Sequence, residues 1–204
     1  ERVWLRHEWR IPVDVVCFLY AGKLVPKKHV LDQLEALVRL THANPVSQGR
    51  RDGIRMHLLI VGTGQLMEAT EAMVKQHDLP VTFAGFLNQG EIARAYVAAD
   101  CLVLSSDYDE TWGLVVNEAM VCGIPAIVSD RAGCGPDLIE QGVTGEIYPF
   151  GDVEALAGCM ARMASDPDKL KDMGKQAQQR VLQDYSVEKA VEGTVKAIEA
   201  VVCK

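Results

Sequence analysis

Glu110 and Glu118 lie in the stretch "DETWGLVVNEAM", with seven residues between them and Gly113 at the point where a polar loop gives way to an apolar helix. The loop is "SSDYDETWG", and the helix "LVVNEAMVCG" ends at Gly123 and Pro125. The first N–H groups of such a helix, at Gly113, Leu114 and Val115, have no intrahelical acceptor and carry the positive end of the helix dipole. They form an anion site that works without metal. Glu118 follows Gly113 by five residues, roughly 8 Å along the axis. A phosphate at the helix start therefore leaves Glu118 near the sugar of the same nucleotide, where a carboxylate accepts hydrogen bonds from two vicinal hydroxyls. Glu110 falls on the other side of the phosphate. The pair could grip both ends of one ligand: Glu118 the nucleoside ribose, Glu110 whatever the diphosphate carries. A plainer reading of Glu110 is a carboxylate favoured by the dipole near a helix start. Glu118, in so apolar a helix, needs a partner.

Such a site must be carried by a scaffold, and the rest of the chain supplies one. "VDVVCFLYA" (Val13 to Ala21) is a continuous apolar run, fitting a strand buried on both faces. Val30, Leu31, Leu34, Leu37 and Val38 then fall at helical spacing, predicting a helix from about Lys27 to Thr41. The unit repeats through "IRMHLLIVG", a helix over Gln65 to His77, "VTFAG", a helix over Gln89 to Ala98, and "CLVLSS". "IPAIVS" and "TGEIY" complete the strands. Alternating strands and helices imply a doubly wound parallel α/β sheet, a Rossmann-like domain over residues 13–204. Residues 1–12 read as a linker or interdomain segment. Past Pro149 the pattern is purely helical, with Asp152, Asp166 and Ser186 as candidate N-caps and Pro167 as a permitted first-turn residue. These helices could cover the sheet or reach a neighbouring domain. "THANPVSQGRRDG" (Thr41 to Gly53) reads as a long exposed loop.

In a doubly wound sheet, ligands bind beyond the carboxyl ends of the strands, so the strand-to-helix loops are the places to look. "AGKLVPKK" sets Gly22 at a strand end and Lys23, Lys27 and Lys28 around a proline. In an acidic protein these amines could neutralise a diphosphate, or simply solvate a helix start. "VGTGQLM" opens like the dinucleotide fingerprint, but Met67 stands at its last glycine position. Gly62 and Gly64 therefore signal a tight turn or a close approach of other atoms. "FAGFLNQGE" offers Phe86 as the wall of a base slot, or as a core aromatic. "DRAGCGPDLI" is a further Gly-rich turn that could line the cleft or pack the sheet edge.

Composition narrows the partners. A net charge of -7 argues against nucleic acid, whose binding needs a basic surface. Six scattered cysteines without a C-x-x-C pair point to buried free thiols, neither disulfide framework nor metal site, and to a cytoplasmic setting. No run approaches the roughly 18 apolar residues of a membrane span. Beginning at Glu1, the chain is expected to be a piece of a longer protein.

Taken in order, "AGKLVPKK", "LLIVGTG", "VTFAGFL", "ADCLVLSS", the E-x7-E of "ETWGLVVNE", "AMVCGIPAIVSDRAG" and "GVTGEIYPFGD" resemble the carboxyl-terminal, donor-binding half of GT-B glycosyltransferases, of the retaining group 1 (family 4) type. The resemblance covers about Ile11 to Asp152. It implies a nucleotide-sugar donor, with UDP-sugar ahead of GDP- and ADP-sugar, transferred with retention and without metal or other cofactor. Lys23 stands where the family usually has Arg, exchanging a two-pronged contact for a point charge, and Lys28 matches the family lysine; both would bind and stabilise the diphosphate. Glu110 would approach the donor sugar, Glu118 would bind ribose, and Phe86 falls among the base contacts. An amino-terminal half, absent here, would bind a saccharide or lipid-linked acceptor and make any contact with the inner face of a membrane; the domain alone should turn over little or nothing. Rival readings are an epimerase of the same fold, a regulatory nucleotide-binding module, and an NAD-dependent dehydrogenase domain.

Overall fold

A computed structural model describes residues 1–43 and 56–202. Six strands form one sheet: β1 (Val16–Ala21), β2 (Met56–Val61), β3 (Val81–Gly85), β4 (Cys101–Leu104), β5 (Ala126–Ser129) and β6 (Gly145–Tyr148). All neighbours are parallel and the order is β3-β2-β1-β4-β5-β6. The doubly wound α/β class expected from the alternation is thus borne out. Every residue of β1 is buried, as its unbroken apolar run requires. The period of two then sorts its side chains: Cys17, Leu19 and Ala21 enter one core, Val16, Phe18 and Tyr20 the other.

Helices α1 (Arg2–Glu8), α2 (Val30–Ala43), α3 (Met67–His77), α4 (Ile92–Ala98), α5 (Leu114–Val121), α6 (Gly135–Leu138), α7 (Val153–Ser165), α8 (Pro167–Asp184) and α9 (Val187–Val202) complete the described chain. Ala95, Tyr96, Val116, Ala119 and Met120 of α4 and α5 pack on one face of the sheet, while Leu34 and Leu37 of α2 and Leu156 and Met160 of α7 pack on the other. Helix α8 feeds both cores, Ala177 and Val181 into the first, Leu170 and Met173 into the second. Of the trailing helices, α7 and α8 therefore cover the sheet, whereas α9 buries no residue.

Several boundaries move. Val13 and Asp14, expected in the first strand, are exposed and precede it. The helix expected from Lys27 begins only at Val30, because Pro26–Lys28 form a separate 3-10 turn. The helices expected from Gln65 and Gln89 begin at Met67 and Ile92. Of the loop expected over Thr41 to Gly53, Thr41, His42 and Ala43 belong to α2 and the rest lies outside the described residues.

Residues 1–12, read as a linker, carry α1 and are tied into the domain. Arg6 is buried, donating from Nε to the Ala98 carbonyl at 2.9 Å and from Nη1 to the Val15 carbonyl at 3.1 Å. It also pairs with Asp100, which Arg2 reaches from the other side and whose carboxylate accepts the Cys17 N–H at 2.8 Å. A buried guanidinium is tolerated only with this degree of satisfaction. Spacing alone does not reveal it, since Asp100 lies far along the chain.

The three capping readings hold: Asp152, Asp166 and Ser186 accept the N–H of Ala155, Lys169 and Lys189. Asp152→Ala should cost about 1 kcal/mol of stability, the usual worth of such a cap. A urea midpoint unchanged from wild type would contradict it. Cys17, Cys101, Cys134 and Cys159 are free and buried, Cys122 is free and exposed, and Cys203 lies outside the described residues.

Candidate functional site

The strand order reverses direction between β1 and β4, which opens a crevice beyond their carboxyl ends. Two loops meet there. The β1–α2 loop brings Gly22 and Lys28, and the β4–α5 loop brings Ser106, Glu110 and Gly113. Lys28 Nζ forms an ion pair with Glu110, both side chains being mostly buried. Ser106 Oγ donates to Glu110 Oε2 at 3.3 Å. Gly22 lies against this pair, since a Cβ there would meet the Lys28 stem at 4.0 Å and the Tyr20 hydroxyl at 3.9 Å. Burial pushes the Tyr20 phenol well up, helped by the charge of Glu110, so it stays protonated and donates to the Lys23 carbonyl at 2.7 Å.

Gly113 places the start of α5 in this crevice. Its φ of 104° is one that side chains with a Cβ rarely adopt, and a Cβ there would come within 2.8 Å of Leu104 and 3.3 Å of Cys134. The glycine therefore lets the helix start press against the end of β4. Leu114 is exposed and Val115 half-buried, so the unbonded N–H groups of this first turn border open space. Cys134, behind Gly113, is no nucleophile: burial pushes its thiol up to about 12, with Glu110 adding in the same direction. The loop is braced from below by Trp112, whose Nε1 donates to Asn117 Oδ1 at 2.8 Å. Gly133 fits beneath it because a Cβ would lie 2.1 Å from the Thr111 carbonyl oxygen. Thus the "DRAGCG" turn packs directly under the loop that carries Glu110.

Glu118 is half-buried on α5, and the partner its apolar helix calls for is Tyr96 of α4, whose hydroxyl donates to Oε2 at 2.5 Å. Burial, then this bond, pushes the Tyr96 phenol far up, so it remains a donor. The second carboxylate oxygen is left for another donor. Sequence reading missed Tyr96, although a tyrosine in the Ala-rich α4 is a signal in itself, because a buried hydroxyl there must find a partner. Ser106 and Tyr20 were likewise missed.

Lys23 and Phe86 stand apart from the pair. Lys23 is exposed, and among the described residues its ammonium has no partner. Phe86 is 74% exposed, which removes the core reading. It follows the carboxyl end of β3, linked across the sheet by Gly62 N–H to the Gly85 carbonyl at 2.8 Å and Gly22 N–H to the Val61 carbonyl at 3.0 Å. Two strand spacings, about 10 Å, separate β3 from β1.

Gly62 and Gly64 are explained by loop packing. A Cβ on Gly62 would lie 1.9 Å from the Gly22 carbonyl oxygen, and one on Gly64 would lie 2.4 Å from that of Leu24. The second loop thus seats the first, and these glycines are spoken for without a dinucleotide.

Fold and crevice together define a Rossmann-like α/β domain with its polar site at the switch point. Residues 5–180 match the family model of Glycosyl transferases group 1, and the chain belongs to that family. The motif resemblance is borne out. The chain is 32% identical over 189 residues to N-acetyl-alpha-D-glucosaminyl L-malate synthase of Bacillus anthracis, covering 92% of this chain and 46% of that protein. It therefore spans less than half the length of this relative. Among solved structures, Anabaena HepE in complex with UDP superposes with a TM-score of 0.81 at 21% identity, covering 98% of this chain and 52% of that one. The C-terminal domain of a group 1 glycosyl transferase (LpcC) from Francisella tularensis gives 0.75 at 20% identity, covering 92% and 94%. At those identities the likeness speaks for the fold alone. No described helix is long and apolar enough to cross a membrane.

Proposed function

We propose that this chain binds the nucleotide-sugar donor of a retaining glycosyltransferase, a UDP-sugar ahead of GDP- or ADP-sugars, for transfer to a saccharide or lipid-linked acceptor held by a further domain. The observation that carries the reading is the Lys28–Glu110 pair at the switch point, facing the open first turn of α5. A diphosphate seated there takes Lys28 as counter-charge and the N–H groups of Gly113, Leu114 and Val115 as donors. Lys23 adds a mobile charge from the rim. As the sugar leaves, these groups hold the negative charge that develops on the departing diphosphate, without a metal ion or other cofactor. Glu110, freed from Lys28 by the incoming diphosphate, turns to the transferred sugar. Glu118, oriented by Tyr96, accepts from the ribose hydroxyls, and Phe86 with the nearby Gly22 backbone lines the way to the base. UDP is favoured because HepE is described in complex with it. The packing of Gly62 and Gly64 weighs against an NAD site.

Calorimetric titration with UDP, GDP, ADP and NADH, without added metal, tests this. One nucleoside diphosphate should saturate the chain. NADH binding that no nucleoside diphosphate displaces would overturn the reading. Glu118→Ala should weaken the diphosphate by about 1–3 kcal/mol, the worth of a charged hydrogen bond. Glu110→Ala should instead spare UDP and weaken a UDP-sugar. Equal losses for both ligands in both variants would reject this division of roles.

A further inference from the structure

His29 follows Lys28 directly and adopts the left-handed conformation, φ 49° and ψ 41°, which residues with a Cβ seldom hold. It closes the Pro26–Lys28 turn, its N–H donating to the Pro26 carbonyl at 2.9 Å. Its ring lies between two carboxylates. Nδ1 is 3.4 Å from Asp32 Oδ2 on α2, and Nε2 is 3.9 Å from Asp107 Oδ2 in the β4–α5 loop. The ring also stands edge-on to Phe150 of the β6–α7 loop, centroids 4.6 Å apart. One side chain thus joins three loops at the carboxyl end of the sheet.

Asp107 organises the turn that delivers Glu110. Its Oδ1 accepts the Asp109 N–H at 2.9 Å, its carbonyl accepts the Glu110 N–H at 3.1 Å, and its own N–H donates to the Lys27 carbonyl at 3.0 Å. Ser105 Oγ lies 2.9 Å from the carbonyl oxygens of both Lys28 and His29, adding a second tie between the same loops. A neutral imidazole donates through one nitrogen and turns a lone pair towards the other carboxylate, whereas the imidazolium donates to both. Burial pushes the Asp32 carboxyl up, and the neighbouring His29 opposes that.

We propose that His29 is a proton-dependent positioning residue: its charged ring, shared between Asp32 and Asp107, fixes the turn of Lys28 against the turn of Glu110 and so strengthens donor binding as pH falls through neutrality. This rests on the donor-binding reading. The charged groups around the ring are Asp32 from α2, Asp107 from the β4–α5 loop, and Lys27 and Lys28 from its own turn. Phe150 from the β6–α7 loop is uncharged, with Asp130 behind it accepting the Phe150 N–H at 2.9 Å. Histidine is the side chain whose charge ordinarily changes in this pH range.

The probe is UDP-glucose, whose diphosphate is esterified at both ends and does not titrate near neutral pH, with GDP-glucose and ADP-glucose alongside. Wild-type affinity should rise about three- to fivefold between pH 8 and pH 6, the scale of a partly exposed ion pair. His29→Asn, which keeps a residue that tolerates the left-handed backbone, should bind equally at both pH values. In the ligand-free chain, NMR should show the amides of Lys28, Asp107 and Glu110 following the same midpoint as the His29 ring, and losing that transition in His29→Asn. Amides that ignore the ring's titration would overturn the proposal, as would equal pH dependence of binding in both proteins. Coupled amides in a chain that binds none of the three donors would establish the link between loops and reject the donor reading and the binding effect together.

Discussion

Lys28→Ala should lower the affinity for a nucleoside diphosphate by about 2–5 kcal/mol, the range for removing one partner of a desolvated charge pair. Two losses add. The ammonium that faces the diphosphate disappears, and Glu110, whose side chain is only 16% exposed, is left without the lysine it pairs with. Its unpaired carboxylate then repels the incoming phosphates. Adding Glu110→Gln to Lys28→Ala should therefore recover part of the UDP affinity. Lys23→Ala should cost about 1 kcal/mol or less, since an exposed mobile ammonium gains little from a phosphate in water. Calorimetry on the four proteins, with circular dichroism as a control for folding, decides the matter. Equal losses at Lys23 and Lys28, or no recovery in the double variant, would refute the role given to the pair.

Gly62→Ala should destabilise the fold by about 3–5 kcal/mol, because overpacking and backbone strain fall on one residue. Its φ is 130°, and the added methyl would sit 1.9 Å from the Gly22 carbonyl oxygen. That oxygen is main chain and cannot swing aside as a side chain would. Relief requires moving the loop that carries Lys28, so any variant that still folds should also lose nucleotide affinity. Gly85→Ala supplies the comparison: its φ is 70°, but nothing lies within 4 Å of the new methyl. It should show backbone strain alone, about 1–2 kcal/mol. Urea unfolding measures both, and equal midpoints for the two variants would show that the contact with Gly22 is relieved cheaply.

Elements that depend on local pattern were legible before any coordinates. The unbroken apolar run of β1 announces burial on both faces, and β1 is buried throughout. Asp152, Asp166 and Ser186 cap helices because a short polar side chain before an amphipathic run has a backbone donor within reach. Boundaries failed where a turn intervened, as at Pro26–Lys28, since helical spacing reads apolar positions and is blind to a left-handed residue at His29. Residues 1–12 were misread because Arg6 is charged, and charge alone suggests solvent.

By itself the sequence determined the α/β alternation, the glycine at the head of α5, the two glutamates across it and the family to which their order belongs. These are properties of neighbours in the chain, written in residue type and spacing. The tertiary structure decided which distant groups meet: Lys28 with Glu110, Tyr96 with Glu118, Arg6 with Asp100 and His29 with Asp107. Each pair joins segments whose proximity follows from β1 lying beside β4 and from α4 and α5 sharing one face of the sheet. Periodicity fixes which face of an element is buried, but not which element it is buried against.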